Sequence, residues 1–279
     1  MDMLSPMLRA LLLIATFCSA HAFAEWQLLP QSRHQLFRSY ALFSDQQTGV
    51  VYYGASRLWG VVGNNYALAG DPDRSSRPQL VTLGTINAAM VMESGGRIVT
   101  DGFDVRVGLA YEFSLNDFSR LSIYAVHYSG HVAEGAVNQA LLVTNLGSDI
   151  VGGRWFYDWK KYLRAGVGLN YYFRSGPKMK TLGAQETLEY FPLTALDDRH
   201  QLTPYLAAGM EHVGVAEHGI RTVYHLQVGA YLGTHLSTQP IQSIRAVLGV
   251  YKGPDPRLKY FAYHNASDTF GYTGVMVDL

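Results

Sequence analysis

The chain has a single cysteine, Cys18, and it lies in an N-terminal segment that reads as a removable signal. The expected mature protein therefore has no thiol, which excludes disulfides, thiolate nucleophiles and cysteine-ligated metals. An excess of one charge is missing too: Lys+Arg and Asp+Glu each number 22, and charged residues make up only 16% of the chain. That balance leaves no electrostatic footprint for nucleic acid. After the signal, no apolar stretch approaches the roughly 20 residues of a membrane-spanning helix, so a membrane crossing has to be made by strands. No Pro/Ser-rich linker divides the chain; one domain is expected, with no cofactor and no metal.

What is present begins with the signal itself. Arg9 precedes the apolar run Ala10 to Phe17, and the small residues Ser19, Ala20, Ala22 and Ala24 follow. This is the three-part plan of a secretory signal peptide, expected over residues 1–24, with cleavage after Ala24 or two residues earlier after Ala22. The remainder is rich in glycine, tyrosine and phenylalanine (28, 19 and 12 residues), a mixture that suits many strands better than long helices.

Alternation confirms that preference. Phe103, Val105, Val107, Leu109, Tyr111 and Phe113 are apolar at every second position, with Asp104, Arg106 and Glu112 between them. The pattern returns at Ala165 to Phe173 and at Tyr224 to Leu232. Aromatic residues close two of the apolar faces, and the segments are long for soluble sheets, both expected of strands that cross a bilayer. The expected fold is all-β: an antiparallel transmembrane β-barrel of about 12 strands, between about 10 and 14, over residues 47–279. Residues 25–46 read poorly as a strand and are expected to form a periplasmic lead-in. Gly63 to Pro78 reads as a loop, and 48–60 and 258–264 as strands. Arg106, Glu112, Arg164, Asn170, His225 and Gln227 are the expected lumen-lining residues.

The end of the chain, Thr273 to Leu279, resembles the C-terminal signal of outer-membrane barrels, with Gly274, Val277 and Leu279 in the signal's places. It implies recognition by the barrel assembly machinery and a location in the bacterial outer membrane, among its lipids.

The residues most able to do chemistry are concentrated in Arg120 to Glu134. On a strand, His127, Ser129 and His131 share one face, and a histidine two residues from a serine can act as its general base. Glu134 and Asn138 are the expected candidates for orienting that histidine. A metal site on His127, His131 and Glu134 is disfavoured, because on a strand the two histidines stand about 13 Å apart. The His-x-Ser pair is similar to the catalytic pair of the outer-membrane phospholipase A and lipid A 3-O-deacylase families, which hold it on the outer wall of a barrel. Here Tyr124, Val126 and Tyr128 look like the outer face, which turns His127 and Ser129 inward.

The same block, Tyr124 to Glu134, resembles the His-x-Ser-Ser-His-Leu-Gly-Asp-Glu block of the domain-of-unknown-function family 1207, Gram-negative envelope proteins. Asp101 to Phe113, Asp158-Trp159 with the strand at 164–173, and Gly271-Tyr272-Thr273-Gly274 extend the likeness. It implies an outer-membrane barrel without assigning an activity. With the serine pair turned inward, the expected role is structural or transport; the alternative is an acyl-ester hydrolase of envelope lipids.

Overall fold

A computed structural model describes residues 27–28, 40–42, 45, 48–53, 56–70, 78–133, 146–160, 162–175, 179–192, 202–215, 219–232, 243–256 and 267–278. Along the chain the strands are β1 (Gln27–Leu28), β2 (Gly49–Tyr53), β3 (Arg57–Gly70), β4 (Gln79–Met92), β5 (Ile98–Asn116), β6 (Ser119–Val132) and β7 (Leu146–Trp159). They continue as β8 (Leu163–Ser175), β9 (Met179–Tyr190), β10 (Leu202–Val215), β11 (Gly219–Leu232), β12 (Ser243–Pro254) and β13 (Ser267–Asp278). Each strand from β2 to β13 pairs antiparallel with the next in sequence, and β13 returns to pair with β2, Met276 opposite Gly49. The result is a closed barrel of 12 strands. Closure is what removes the unpaired edges an open sheet leaves.

Two expected boundaries shift. The segment 48–60 contains a hairpin, β2 and β3, instead of one strand, and Gly63 to Gly70 continues β3 instead of forming a loop. The glycine there serves packing: a Cβ at Gly63 would stand 2.1 Å from the Gly84 carbonyl oxygen on β4. The segment 258–264 and the signal at 1–24 lie outside the described residues.

The period-two pattern sorts the side chains into two walls. Outward stand Val107, Val167, Leu169, Leu206, Leu226, Leu248 and Val275, all exposed and all large apolar residues. Inward stand polar groups that bind one another. Glu112 accepts from Gln79 at 2.9 Å, Asn170 accepts from the Tyr124 hydroxyl at 2.5 Å, and Gln185 donates to that hydroxyl at 3.1 Å. Arg164 contacts Asp158 at 2.7 Å and Glu189 at 3.4 Å.

Tyr40, Ala41, Leu42 and Asp45, ahead of β2, occupy the lumen. Tyr40, Ala41 and Leu42 are almost fully buried. Glu189 accepts from the amides of Tyr40 at 2.6 Å and Ala41 at 3.1 Å. His225 donates through Nδ1 to the Ala41 carbonyl at 2.7 Å. The fit is close enough that a Cβ at Gly209 would lie 2.4 Å from that carbonyl oxygen. Arg245 covers the Tyr40 ring at 4.2 Å. Asp45 then bonds Arg154 at 2.6 and 2.9 Å and Arg106 at 3.4 Å. Beside this plug a cavity of about 120 Å³ remains, lined by groups including Asn87, Arg106, Tyr128, Arg154 and Glu211.

Candidate active site

Cross-strand partners share a face, so the register of β5, β6 and β7 fixes where His127 and Ser129 point. His127 stands between Val107 and Asp149, and Ser129 between Val105 and Gly147. Val107 is exposed on the apolar outer wall. Tyr124, Val126 and Tyr128, the alternate residues of β6, line the internal cavity instead. The inward orientation expected for His127 and Ser129 is thereby corrected: both lie on the outer wall. Apolar residues occupy both faces of β6, so hydrophobicity alone does not decide its parity. Tyr124 turns inward, where Asn170 and Gln185 satisfy its hydroxyl, and Tyr128 shares its parity.

Opposite His127 the structure supplies a carboxylate. His127 Nδ1 lies 2.7 Å from Asp149 Oδ1, with the histidine side chain 41% exposed and the aspartate 9%. A covered acid on one imidazole nitrogen fixes the ring and its tautomer and leaves the other nitrogen available. The ring also leans along the strand: its Cε1 would be 3.5 Å from a Cβ placed on Gly147, the residue facing Ser129. His131, on the far side of Ser129, holds the hydroxyl at 3.2 Å through Nε2 and stacks on the exposed Phe103 at 4.8 Å. One serine thus has an imidazole on each side, and among the described residues the one anchored to a carboxylate is His127. Arg174 of β8 is exposed and pairs across from Asp149 on its other side.

Glu134 and Asn138 lie outside the described residues. Asp149 is the residue that sequence reasoning missed. Its register depends on the length of the segment between β6 and β7, which periodicity does not encode. The signal that was available is parity within β7: Val151, Trp155, Tyr157 and Trp159 make an apolar outer face, and Asp149 is the acid on it.

Arg106, Glu112, Arg164, Asn170, His225 and Gln227 all lie on the inner wall, each with a partner. Gln227 donates to the Tyr205 hydroxyl and accepts from Tyr272 at 2.9 Å, and the second nitrogen of His225 meets the Tyr272 hydroxyl.

A closed antiparallel barrel with an apolar exterior and a polar interior has the fold of outer-membrane β-barrel proteins. Among solved structures it is similar to the outer membrane phospholipase dimer of Salmonella typhi with bound calcium, at TM-score 0.55 and 12% identity over 89% of this chain and 95% of that one. It is also similar to outer membrane phospholipase A of Escherichia coli, at TM-score 0.53 and 11% identity over 83% and 92% of the two chains. At these identities the likeness is one of fold. No protein-family model and no curated protein matches the sequence.

Proposed function

We propose that this chain is an exported outer-membrane acyl-ester hydrolase that acts on envelope lipids from its outer wall. Ser129 is the nucleophile, His127 the general base and Asp149 the group that orients it. The observation that carries the reading is the His127–Asp149 contact of 2.7 Å on the outward face, two positions along the strand from Ser129. Two outer membrane phospholipases sharing the fold lend support. In the reaction the Ser129 oxygen bonds to the ester carbonyl carbon while His127 takes the hydroxyl proton. Collapse of the tetrahedral species breaks the acyl–oxygen bond, and the proton passes to the leaving alcohol. Water, deprotonated by the same histidine, then releases the fatty acid and restores the serine. Asp149 stabilises the imidazolium formed in each half. An ester held in the bilayer reaches this serine without entering the lumen.

The test is release of fatty acid from phospholipid by the purified full chain in mixed micelles. Ser129→Ala, checked for folding by its heat-modifiable mobility, should abolish it; undiminished release by that variant sinks the proposal. A transport role would instead need a path through the lumen, where Tyr40 to Leu42 are packed.

A further inference from the structure

The outer-wall row that holds His127 and Asp149 continues onto β8 at Arg174, which stands opposite Asp149 and is exposed. Among the described residues its guanidinium meets no acceptor, and the carboxylate opposite is engaged by His127 at 2.7 Å instead. On the neighbouring strand Lys180, the second residue of β9, is exposed with the parity of the outward Leu182, and it too has no acceptor among the described residues. β6 and β8 end, and β7 and β9 begin, at one rim of the barrel, so Ser129, Asp149, Arg174 and Lys180 all lie within a few residues of it. Away from that rim the wall is apolar: Tyr171, Leu169 and Val167 follow on β8 and Leu182 on β9, all exposed. Two cations thus cap an apolar strip beside the proposed hydrolytic serine.

We propose that Arg174, with Lys180 beside it, is the phosphate subsite of the Ser129 site and selects lipids with a phosphodiester headgroup over neutral acylglycerols; this rests on the reading of Ser129 as the nucleophile of a lipid hydrolase. A guanidinium is charged at every physiological pH, so its role depends on no choice of tautomer or proton. Its planar fork matches two oxygens of a phosphate, and an ammonium adds a second cationic donor without directional demand. Two strand spacings, about 10 Å, separate the backbones of β6 and β8. The long Arg174 side chain covers part of that gap, and the few bonds between an acyl ester and the phosphorus of a phosphoglyceride cover the rest. With its ester at Ser129 and its phosphate at Arg174, such a lipid lays its second acyl chain over Tyr171 and Leu169. Cations at the interfacial level of a barrel cost little. What distinguishes Arg174 from Lys252 of β12, exposed at the same rim opposite Tyr224, is the row it shares with His127 and Asp149.

The experiment uses the full chain carrying Ser129→Ala in uncharged detergent micelles, with either dioleoyl phosphatidylmethanol or the methyl ether of dioleoylglycerol. Neither headgroup has a hydroxyl or amide donor, so the phosphodiester is the whole difference. Lipid retained per barrel, counted by native mass spectrometry, should favour the phosphodiester about tenfold, the scale of a charge-assisted hydrogen bond. Adding Arg174→Gln and Lys180→Gln together should bring that preference close to parity, whereas adding Lys252→Gln should leave it; each variant is checked for folding by heat-modifiable mobility. Equal retention before those changes, a preference that survives the paired change, or an equal fall with Lys252→Gln overturns the proposal. With Ser129 intact, the ratio of kcat/KM for fatty-acid release from the two lipids should fall about tenfold in Arg174→Gln, through KM, and Arg174→Lys should keep part of it. A loss shared equally by both lipids would mean that Arg174 acts through Asp149 and would also overturn the subsite. Retention is read without turnover, so a barrel that selects the phosphodiester but hydrolyses neither lipid sinks the Ser129 reading alone.

Discussion

The lumen and the outer wall of this barrel are made by alternate residues of the same strands, yet they treat polar groups in opposite ways. In the lumen polar side chains are many and most bind one another: Arg154 bonds Asp45 and Gln185, Glu189 holds two backbone amides, and Tyr205, Gln227, His225 and Tyr272 form one chain. Burial there is offset by pairing. On the wall, polar groups sit among exposed valines and leucines and cluster at a few places, where pairing with a neighbour limits a cost that the apolar alternative would avoid altogether. A polar residue inside is explained by the fold, whereas one outside asks for a function. The six lumen residues singled out from sequence are of the first kind, and His127, Ser129 and Asp149 are of the second.

If that contrast is right, the largest loss of hydrolysis comes from the wall. Ser129→Ala and His127→Ala should each lower the rate of fatty-acid release by about a thousandfold or more, as removal of a nucleophile or its base does elsewhere. His131→Ala should stay within about tenfold of the parent, since among the described residues no carboxylate contacts that ring. Asp149→Asn comes next, with a loss of about a hundredfold or more, because an amide neither fixes the same tautomer nor stabilises the imidazolium. The comparison breaks if Asn170→Ala, a lumen change, lowers the rate as much as Asp149→Asn does.

How much of this was readable in the sequence follows the range of each interaction. Alternation is local, so β5, β8 and β11 and their lumen faces were legible from single segments such as Phe103 to Phe113. The start of β3 and its continuation past Gly63 were not, because Asn64-Asn65 beside glycine reads as a loop until β4 is there to pair with it. Parity failed at β6, where Tyr124 and Tyr128 are apolar enough for either face and only Val107 opposite His127 decides. Least legible was the plug. Tyr40-Ala41-Leu42 has no period, and its anchors, Glu189 and His225, lie 149 and 184 residues away along the chain.

Inside the barrel the expected effects concern stability. Asp45→Ala removes the acceptor of Arg154 and Arg106 and leaves two guanidinium groups facing the lumen. It should cost about 3 kcal/mol against denaturant, the scale for breaking a buried ion pair from one side, while hydrolysis by the folded fraction is unchanged. A fall in activity per folded molecule as large as that of Asp149→Asn would mean that plug and wall act together.

The smallest effect is one of pH, and it separates the plug's electrostatics from its packing. Burial pushes the Asp45 carboxyl up, but the charges of Arg154 and Arg106 together with their hydrogen bonds outweigh it, so the group ionises below its ordinary value of 3.8. A carboxylate whose pKa is lowered on folding binds fewer protons when folded than when unfolded. Its contribution is therefore complete above the ordinary value and fades as pH falls through the folded one. The stability difference between the parent and Asp45→Asn, measured by urea unfolding in detergent, should be constant from pH 7 to about pH 5 and shrink only below about pH 4. A difference that already collapses near pH 6 would show that Asp45 is not held by the two arginines. The absence of a difference at any pH would assign the anchoring of the plug to Tyr40, Ala41 and Leu42 alone.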